Sequence, residues 1–231
     1  MVRAIIFDLD NTLTDFMRMK RAAIEAGIEG MLDAGLALPT ERIEKRIWQI
    51  YEQEGIEYQY VFDRVLEAEL GAVDPKVLAA GIVAYRRARA STLVLYPHVQ
   101  YTLLELLKRG LRLAVISDAP RFQAWLRLAS LQMHNLFDPV VTFEDTGQRK
   151  PSPEPFQKAL ERLDLTAAEA LMVGDWAERD MVGAAQLGIR TAFARYGDTF
   201  GTRESGADFE LNDILDLLGI VERLNDGGRP A

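Results

Sequence analysis

Apolar positions follow two rhythms along this chain. Ala4-Ile5-Ile6-Phe7 form a short unbroken apolar run that stops at Asp8-Leu9-Asp10-Asn11-Thr12, a cluster of turn-favouring polar residues. A run this short, closed off this sharply, predicts a strand buried on both faces. From about residue 16 to 92 the rhythm becomes helical. Apolar residues recur at helical spacing over 17–36, and Pro39-Thr40-Glu41 opens a second helix with Ile43, Ile47 and Ile50 on one face. The segments 58–70 and 75–90 predict two further helices. After Pro97 strands and helices alternate: helix 98–109, strand 112–117, helix 120–130, strand 139–143, helix 153–163, strand 170–174, helix 177–187, strand 190–194, a short strand 207–211 and a helix 212–223.

Short apolar strands alternating with amphipathic helices predict an α/β fold, a doubly wound, Rossmann-like parallel sheet. The early helical stretch predicts an all-helical domain inserted after the first strand. The expected division is 1–15 and 93–225 for the α/β core, 16–92 for the insert and 226–231 for a loose, flexible tail. In open α/β sheets ligands bind beyond the carboxyl ends of the strands. An insert rooted there is expected to overhang the site as a lid.

Composition narrows the chemistry. With 231 residues, 48% apolar and 27% charged, the chain has the makeup of a soluble globular protein. Its net charge of -8 argues against a nucleic-acid partner. An anionic ligand must then meet local positive charge, from a metal ion or a placed Lys or Arg. The absence of cysteine excludes disulfides, thiolate metal sites and cysteine nucleophiles, and fits a cytoplasmic location. His98 and His134 are the only histidines, too few for a polyhistidine metal centre, and both are expected to be structural or exposed. The first residues do not read as a signal peptide, and no apolar run reaches the roughly 20 residues that span a bilayer, so no membrane partner is expected. There is no P-loop, no G-x-G-x-x-G and no G-x-S-x-G to support a nucleotide-cofactor or serine-hydrolase reading.

Four features carry candidate chemistry. Asp8 and Asp10 place two carboxylates at the end of a buried strand, where their repulsion needs a compensating cation or a function. Alone, the pair reads equally well as an acidic turn. Asp175 ends the apolar strand 170–174 and is followed by Glu178 and Asp180; alone, it reads as a helix cap. Ser117, at the end of strand 112–117, and the turn at Asp118 offer a hydroxyl and backbone N–H groups to a phosphate, or simply a cap. Lys150 lies in the loop before helix 153–163, where it could neutralise both a carboxylate nucleophile and a phosphate. All four fall at the ends of successive core strands, and jointly they point to phosphate chemistry aided by a hard cation such as Mg²⁺.

Asp8-Leu9-Asp10-Asn11-Thr12-Leu13, Ser117, Lys150-Pro151 and Gly174-Asp175 through Asp180 together resemble the four motifs of the haloacid dehalogenase-like (HAD) superfamily. The resemblance spans essentially the whole chain. The helical insert resembles the C1 cap of subfamily I, and no second large insert separates Ser117 from Lys150. The segments 79–85 and 170–196 look like archaeal and bacterial phosphatases related to N-acylneuraminate-9-phosphatase.

The resemblance implies that Asp8 is a nucleophile forming an aspartyl-phosphate and that Asp10 is the acid/base. It implies Mg²⁺ held by Asp8, the Asp10 carbonyl and Asp175, with Asp180 in support. Thr12, Ser117, Asp118 and Lys150 are implied as the phosphate-side residues, Thr12 also shaping the turn. Asp10 with Asp175 argues against dehalogenation. The expected function is hydrolysis of a small phosphorylated metabolite by a monomer or a cap-mediated homodimer. A phosphomutase, or a non-catalytic binding relative, remains the alternative. Arg18, Lys20, Arg21 and Arg121 are expected at solvated or salt-bridged positions. Trp48, Tyr51, Tyr58 and Tyr60 are expected in the core or an interface, and Trp176 beside the pocket.

Overall fold

The structure, a computed structural model, describes residues 1–226; the remainder of the expected tail, 227–231, lies outside the described residues. The chain divides into two compact units, Met1–Asp15 with Val94–Ala231, and Phe16–Leu93.

The first unit opens with β1 (Ala4–Phe7), buried at every position. The second unit follows: α1 (Phe16–Asp33), α2 (Thr40–Glu54), α3 (Val61–Leu70) and α4 (Pro75–Thr92). The Asp74 carboxylate caps α4 by accepting from Lys76 N at 2.8 Å, and Pro75 fills the first turn, where no N–H is needed. Ile24, Ile28, Ile43, Ile47, Phe62 and Val65 form this unit's apolar core. Two charges are buried within it. Lys20 donates to the Ile56 carbonyl at 2.7 Å and to the Tyr85 hydroxyl at 3.1 Å, and it lies 4.1 Å above the Tyr51 ring. The Glu69 carboxylate is gripped by Arg42 at 2.5 Å and Arg46 at 3.0 Å. Lys20, expected on a solvated face, is thus an interior cation.

The first unit resumes with α5 (Val99–Lys108), β2 (Arg112–Ser117), α6 (Arg121–Ser130), β3 (Val140–Thr142), α7 (Phe143–Thr146), α8 (Pro153–Leu163) and β4 (Ala170–Gly174). It ends with α9 (Val182–Gln186), β5 (Arg190–Ala194), β6 (Phe209–Leu211) and α10 (Asp216–Asp226). Among the described residues the sheet has six strands in the order β3-β2-β1-β4-β5-β6, all parallel. One face packs Phe7, Leu9, Val115, Leu128 and Val173; the other packs Ile6, Ile116, Phe156 and Met172. Burial on both faces explains why the strands read as continuous apolar runs.

Local differences from the pattern have physical causes. Helix α10 starts at Asp216 rather than 212, because the Asp216 carboxylate accepts from Asn212 N and Asp213 N and holds those residues in turns. The short α7 was not signalled by apolar spacing; it is set by a capping box in which Thr142 and Asp145 satisfy each other's backbone ends. The segment expected as one helix over 177–187 opens instead with a π-turn at Ala177–Met181 before α9.

Candidate active site

The register brings the candidate residues to one edge. Phe7 pairs with Val115 on one side and Val173 on the other, so the chain leaving β1 at Asp8 emerges between Ser117, which ends β2, and Asp175, which follows β4. β1 is where the strand order reverses, with β2 and β3 on one side and β4, β5 and β6 on the other. That is the switch point at which open α/β sheets form their crevice.

Asp8, Lys150, Asp175 and Asp180 are all buried there. Lys150 Nζ donates to Asp8 Oδ1, to Asp180 Oδ1 at 2.6 Å and to the Ile116 carbonyl at 3.2 Å. The second oxygen of Asp180 accepts from Trp176 N at 3.0 Å. The π-turn after β4 makes this possible by folding Asp180 back over Gly174; a side chain at 174 would overlap the Asp180 carboxylate. Asp180 is thereby tied at both oxygens while still standing beside Asp8 and Asp175.

Thr12, expected among the phosphate-side residues and as a shaper of the turn, lies in the turn after β1. It is fully buried, and its hydroxyl donates to Asp175 Oδ1 at 2.8 Å. Its own carbonyl accepts from the Tyr196 hydroxyl at 2.8 Å. Gly197 packs so tightly under the turn that any Cβ would overlap the Asn11 carbonyl. Tyr196 and Gly197 were not legible as site residues; the only signal was their place just after strand 190–194. Asn11 itself has φ +62°, the left-handed conformation that Asn tolerates better than most residues.

Ser117 is buried, and its Oγ accepts from Ala119 N at 3.2 Å, which shapes the turn after β2. The Asp118 carboxylate accepts from Lys150 N and from Arg179, each at 3.0 Å, and so ties the turn after β2 to the loop before α8 and to the π-turn after β4. Arg179 stacks on Trp176 at 3.7 Å, and the Trp176 ring also meets Phe200 at 4.3 Å between centroids. Trp176 therefore does lie beside the site. Arg121 pairs with Asp145 at 3.3 Å, the salt-bridged role expected of it. Asp10 pairs with Arg127, whose Nη1 lies 3.1 Å from Asp10 Oδ2. Arg127 is 1% exposed and was not singled out by the sequence.

The electrostatics are unbalanced. Burial pushes the Asp8 carboxyl up to about 7; Lys150 opposes the shift, and the charges of Asp180 and Asp10 add to it. Burial likewise raises Asp175 well above the ordinary carboxylate range, with Asp8 and Asp180 adding and the Thr12 hydrogen bond opposing. Burial disfavours the Lys150 ammonium, but Asp180 and Asp8 outweigh it and hold that ammonium above the usual lysine range. When ionised, three carboxylates facing one ammonium leave two negative charges in a closed space.

Asp8, Asp175 and Asp180 each offer one carboxylate oxygen within 4.8 Å of the others. Hard oxygen donors and a surplus of two negative charges fit a hard divalent cation such as Mg²⁺.

The fold and this edge cluster define a class. The chain matches the haloacid dehalogenase-like hydrolase family over residues 2–188, and it belongs to that family. It is 35% identical over 227 residues to the glyceraldehyde 3-phosphate phosphatase of Methanocaldococcus jannaschii, covering 97% of this chain and 99% of that one. It is 32% identical to the ribulose-1,5-bisphosphate 5-phosphatase of Halopiger xanaduensis, covering 96% of this chain and all of that one. In fold it resembles the crystal structure of a 2-haloacid dehalogenase from Pseudomonas syringae, with a TM-score of 0.67 at 24% identity over 96% of this chain and 99% of that one. One fold thus serves more than one reaction, and the site residues must choose. No helix among the described residues is long and apolar enough to cross a membrane.

Proposed function

We propose that this protein is a Mg²⁺-dependent phosphatase of small phosphate monoesters, with Asp8 as nucleophile and Asp10 as acid/base. The observation that carries the reading is the buried Asp8 carboxylate at the switch point, bonded to Lys150 and adjoining Asp175 and Asp180. Asp8 would attack phosphorus in line, forming a phosphoryl-aspartate as the alkoxide departs. Asp10 would protonate that alkoxide and then take a proton from the water that hydrolyses the intermediate.

Lys150, already bonded to Asp8, would reduce the repulsion between carboxylate and phosphate. That repulsion is about 4 kcal/mol per pair of unit charges at 4 Å and an effective dielectric near 20. Ser117 and the Asp118 N–H would hold phosphoryl oxygens. Asp8, the Asp10 carbonyl and Asp175 would hold the cation, with Thr12 orienting Asp175, and Asp180 orienting Lys150. When bound, the cation would supply charge neutralisation between nucleophile and phosphoryl group.

The names of the relatives favour a sugar or triose phosphate as substrate, and the helical unit is the candidate for selecting among them. Asp8→Asn is expected to abolish phosphate release from glyceraldehyde 3-phosphate, from p-nitrophenyl phosphate and from a panel of sugar phosphates. Acid-quenched wild-type enzyme should carry base-labile phosphate, and the variant none. Turnover by Asp8→Asn with Mg²⁺ present would remove Asp8 from the role of nucleophile.

A further inference from the structure

We propose that Arg127 is a positioning residue for Asp10: its buried guanidinium fixes the direction of the carboxylate that handles the protons. The proposal rests on the phosphatase reading, and specifically on the role given there to Asp10.

Helix α6 turns Ala124, Arg127 and Leu128 inward. Ala124 and Leu128 join the apolar cluster that holds Phe7, Leu9 and Val115. An apolar side chain at 127 would extend that cluster at no cost in desolvation, and replacing buried ion pairs by packed apolar groups is often stabilising. A guanidinium sealed to 1% exposure is therefore a poor choice for stability alone. What it meets is Asp10 Oδ2 at 3.1 Å, on a side chain that keeps 22% exposure. The cation is enclosed, and the Asp10 side chain is the more exposed member of the pair.

The other cations near the site are engaged elsewhere, Lys150 with Asp8 and Asp180, and Arg179 with Asp118. A carboxylate turns readily about its terminal torsion, and an ion pair on one oxygen restricts that turning. Proton transfer needs the acid within hydrogen-bond reach of the departing oxygen, so restriction of this kind acts on turnover. Arginine suits the task because its planar fork of donors is rigid and stays charged.

The test is a double-mutant cycle at saturating Mg²⁺. Arg127→Met and Arg127→Lys are made alone and in the Asp10→Asn background. Each is assayed on glyceraldehyde 3-phosphate, or the alkyl ester the panel selects, and on p-nitrophenyl phosphate. Arg127→Met is expected to lower kcat on the alkyl ester about tenfold, a fraction of a full acid/base contribution, with KM within about twofold. The aryl ester, whose leaving group needs less protonation, should lose less. Arg127→Lys should recover part of the rate, and in the Asp10→Asn background neither change should cost more. If Arg127→Met fails to fold, Arg127→Lys carries the same cycle, with a loss of about threefold expected. Equal proportional losses in both backgrounds, a loss confined to KM, or no loss at all would overturn the proposal. Full kcat in Asp10→Asn alone would instead show that the role of Asp10 is wrong, and the proposal would fall with it.

Discussion

Both units bury charge, and they do so differently. In the helical unit each buried charge is matched on the spot. Glu69 has two arginines, and Lys20 has a carbonyl, a hydroxyl and an aromatic face. The hydrogen bonds from Arg46 and then Arg42 hold the Glu69 carboxyl below its ordinary range, the signature of a charge the fold welcomes. At the sheet edge of the α/β unit, Asp8 and Asp175 are pushed the other way, because burial and neighbouring carboxylates outweigh the single lysine. Matched charge holds a structure together. Unmatched charge waits for something else to complete it, and so marks where ligands go.

That contrast predicts opposite responses to the same kind of substitution. The largest effect should come from Asp175→Asn. It keeps the hydrogen bond from Thr12 and removes one excess charge, so the metal-free protein should gain about 1–3 kcal/mol of stability while phosphatase activity is lost. Chemical denaturation of the metal-free variant checks this; a destabilised variant would mean that the cluster is balanced without a cation.

A pH titration of stability comes next. Asp8 holds its proton up to about pH 7 in the folded protein, against about 3.8 when unfolded. A raised carboxyl pKa means that the folded state binds the extra proton, so stability is lost as pH rises through this window and levels off above it. The melting temperature of the metal-free protein should therefore fall between about pH 4 and pH 7. Saturating Mg²⁺ should restore it at the upper end, since a ligand that binds only the folded state stabilises it. A melting temperature indifferent to Mg²⁺ at pH 8 would count against a cation at this cluster.

The smallest effect should be Glu69→Gln. It breaks a matched charge, so the melting temperature should drop by a few degrees, with kcat per folded enzyme nearly unchanged. A rise in melting temperature would erase the distinction between the two units.

Much of this was legible in the sequence because the relevant signals are local. Apolar runs that stop at carboxylates give the strand ends, and helical spacing over 17–90 gives the inserted helices. Asp8, Ser117 and Asp175 follow from those ends and emerge at one edge of the sheet, and Lys150, read from the loop before helix 153–163, reaches Asp8 there. Partnerships across the fold were not legible. Nothing local says that the Thr12 hydroxyl goes to Asp175, since the two lie 163 residues apart. Arg127 was hidden by the ordinary expectation that arginines on helices are solvated. Its position three residues after Ala124 and next to Leu128, on the buried stripe of α6, was the available clue. Lys20 was misplaced for the same reason, with Ala23 and Ile24 marking the inward face of α1. The π-turn at Ala177–Met181 escaped because its residues are good helix formers; Gly174 leaves the room that the Asp180 carboxylate then occupies.

The seam where the helical unit is spliced into the chain has one more consequence. Asp15 N donates to the Val94 carbonyl at 3.1 Å, Tyr96 N donates to the Leu13 carbonyl at 3.0 Å, and Thr14 and Leu95 bridge in antiparallel fashion. The departing and returning segments are thus zipped together on the α/β side, before the first residue of α1 and after the last of α4. To the α/β unit, seventy-odd residues of insert amount to a long hairpin tip on a two-stranded stem. The stem's backbone hydrogen bonds are made wholly between residues of the α/β unit. Evolution, or an engineer, can exchange the spliced module while the α/β unit keeps its own scaffold.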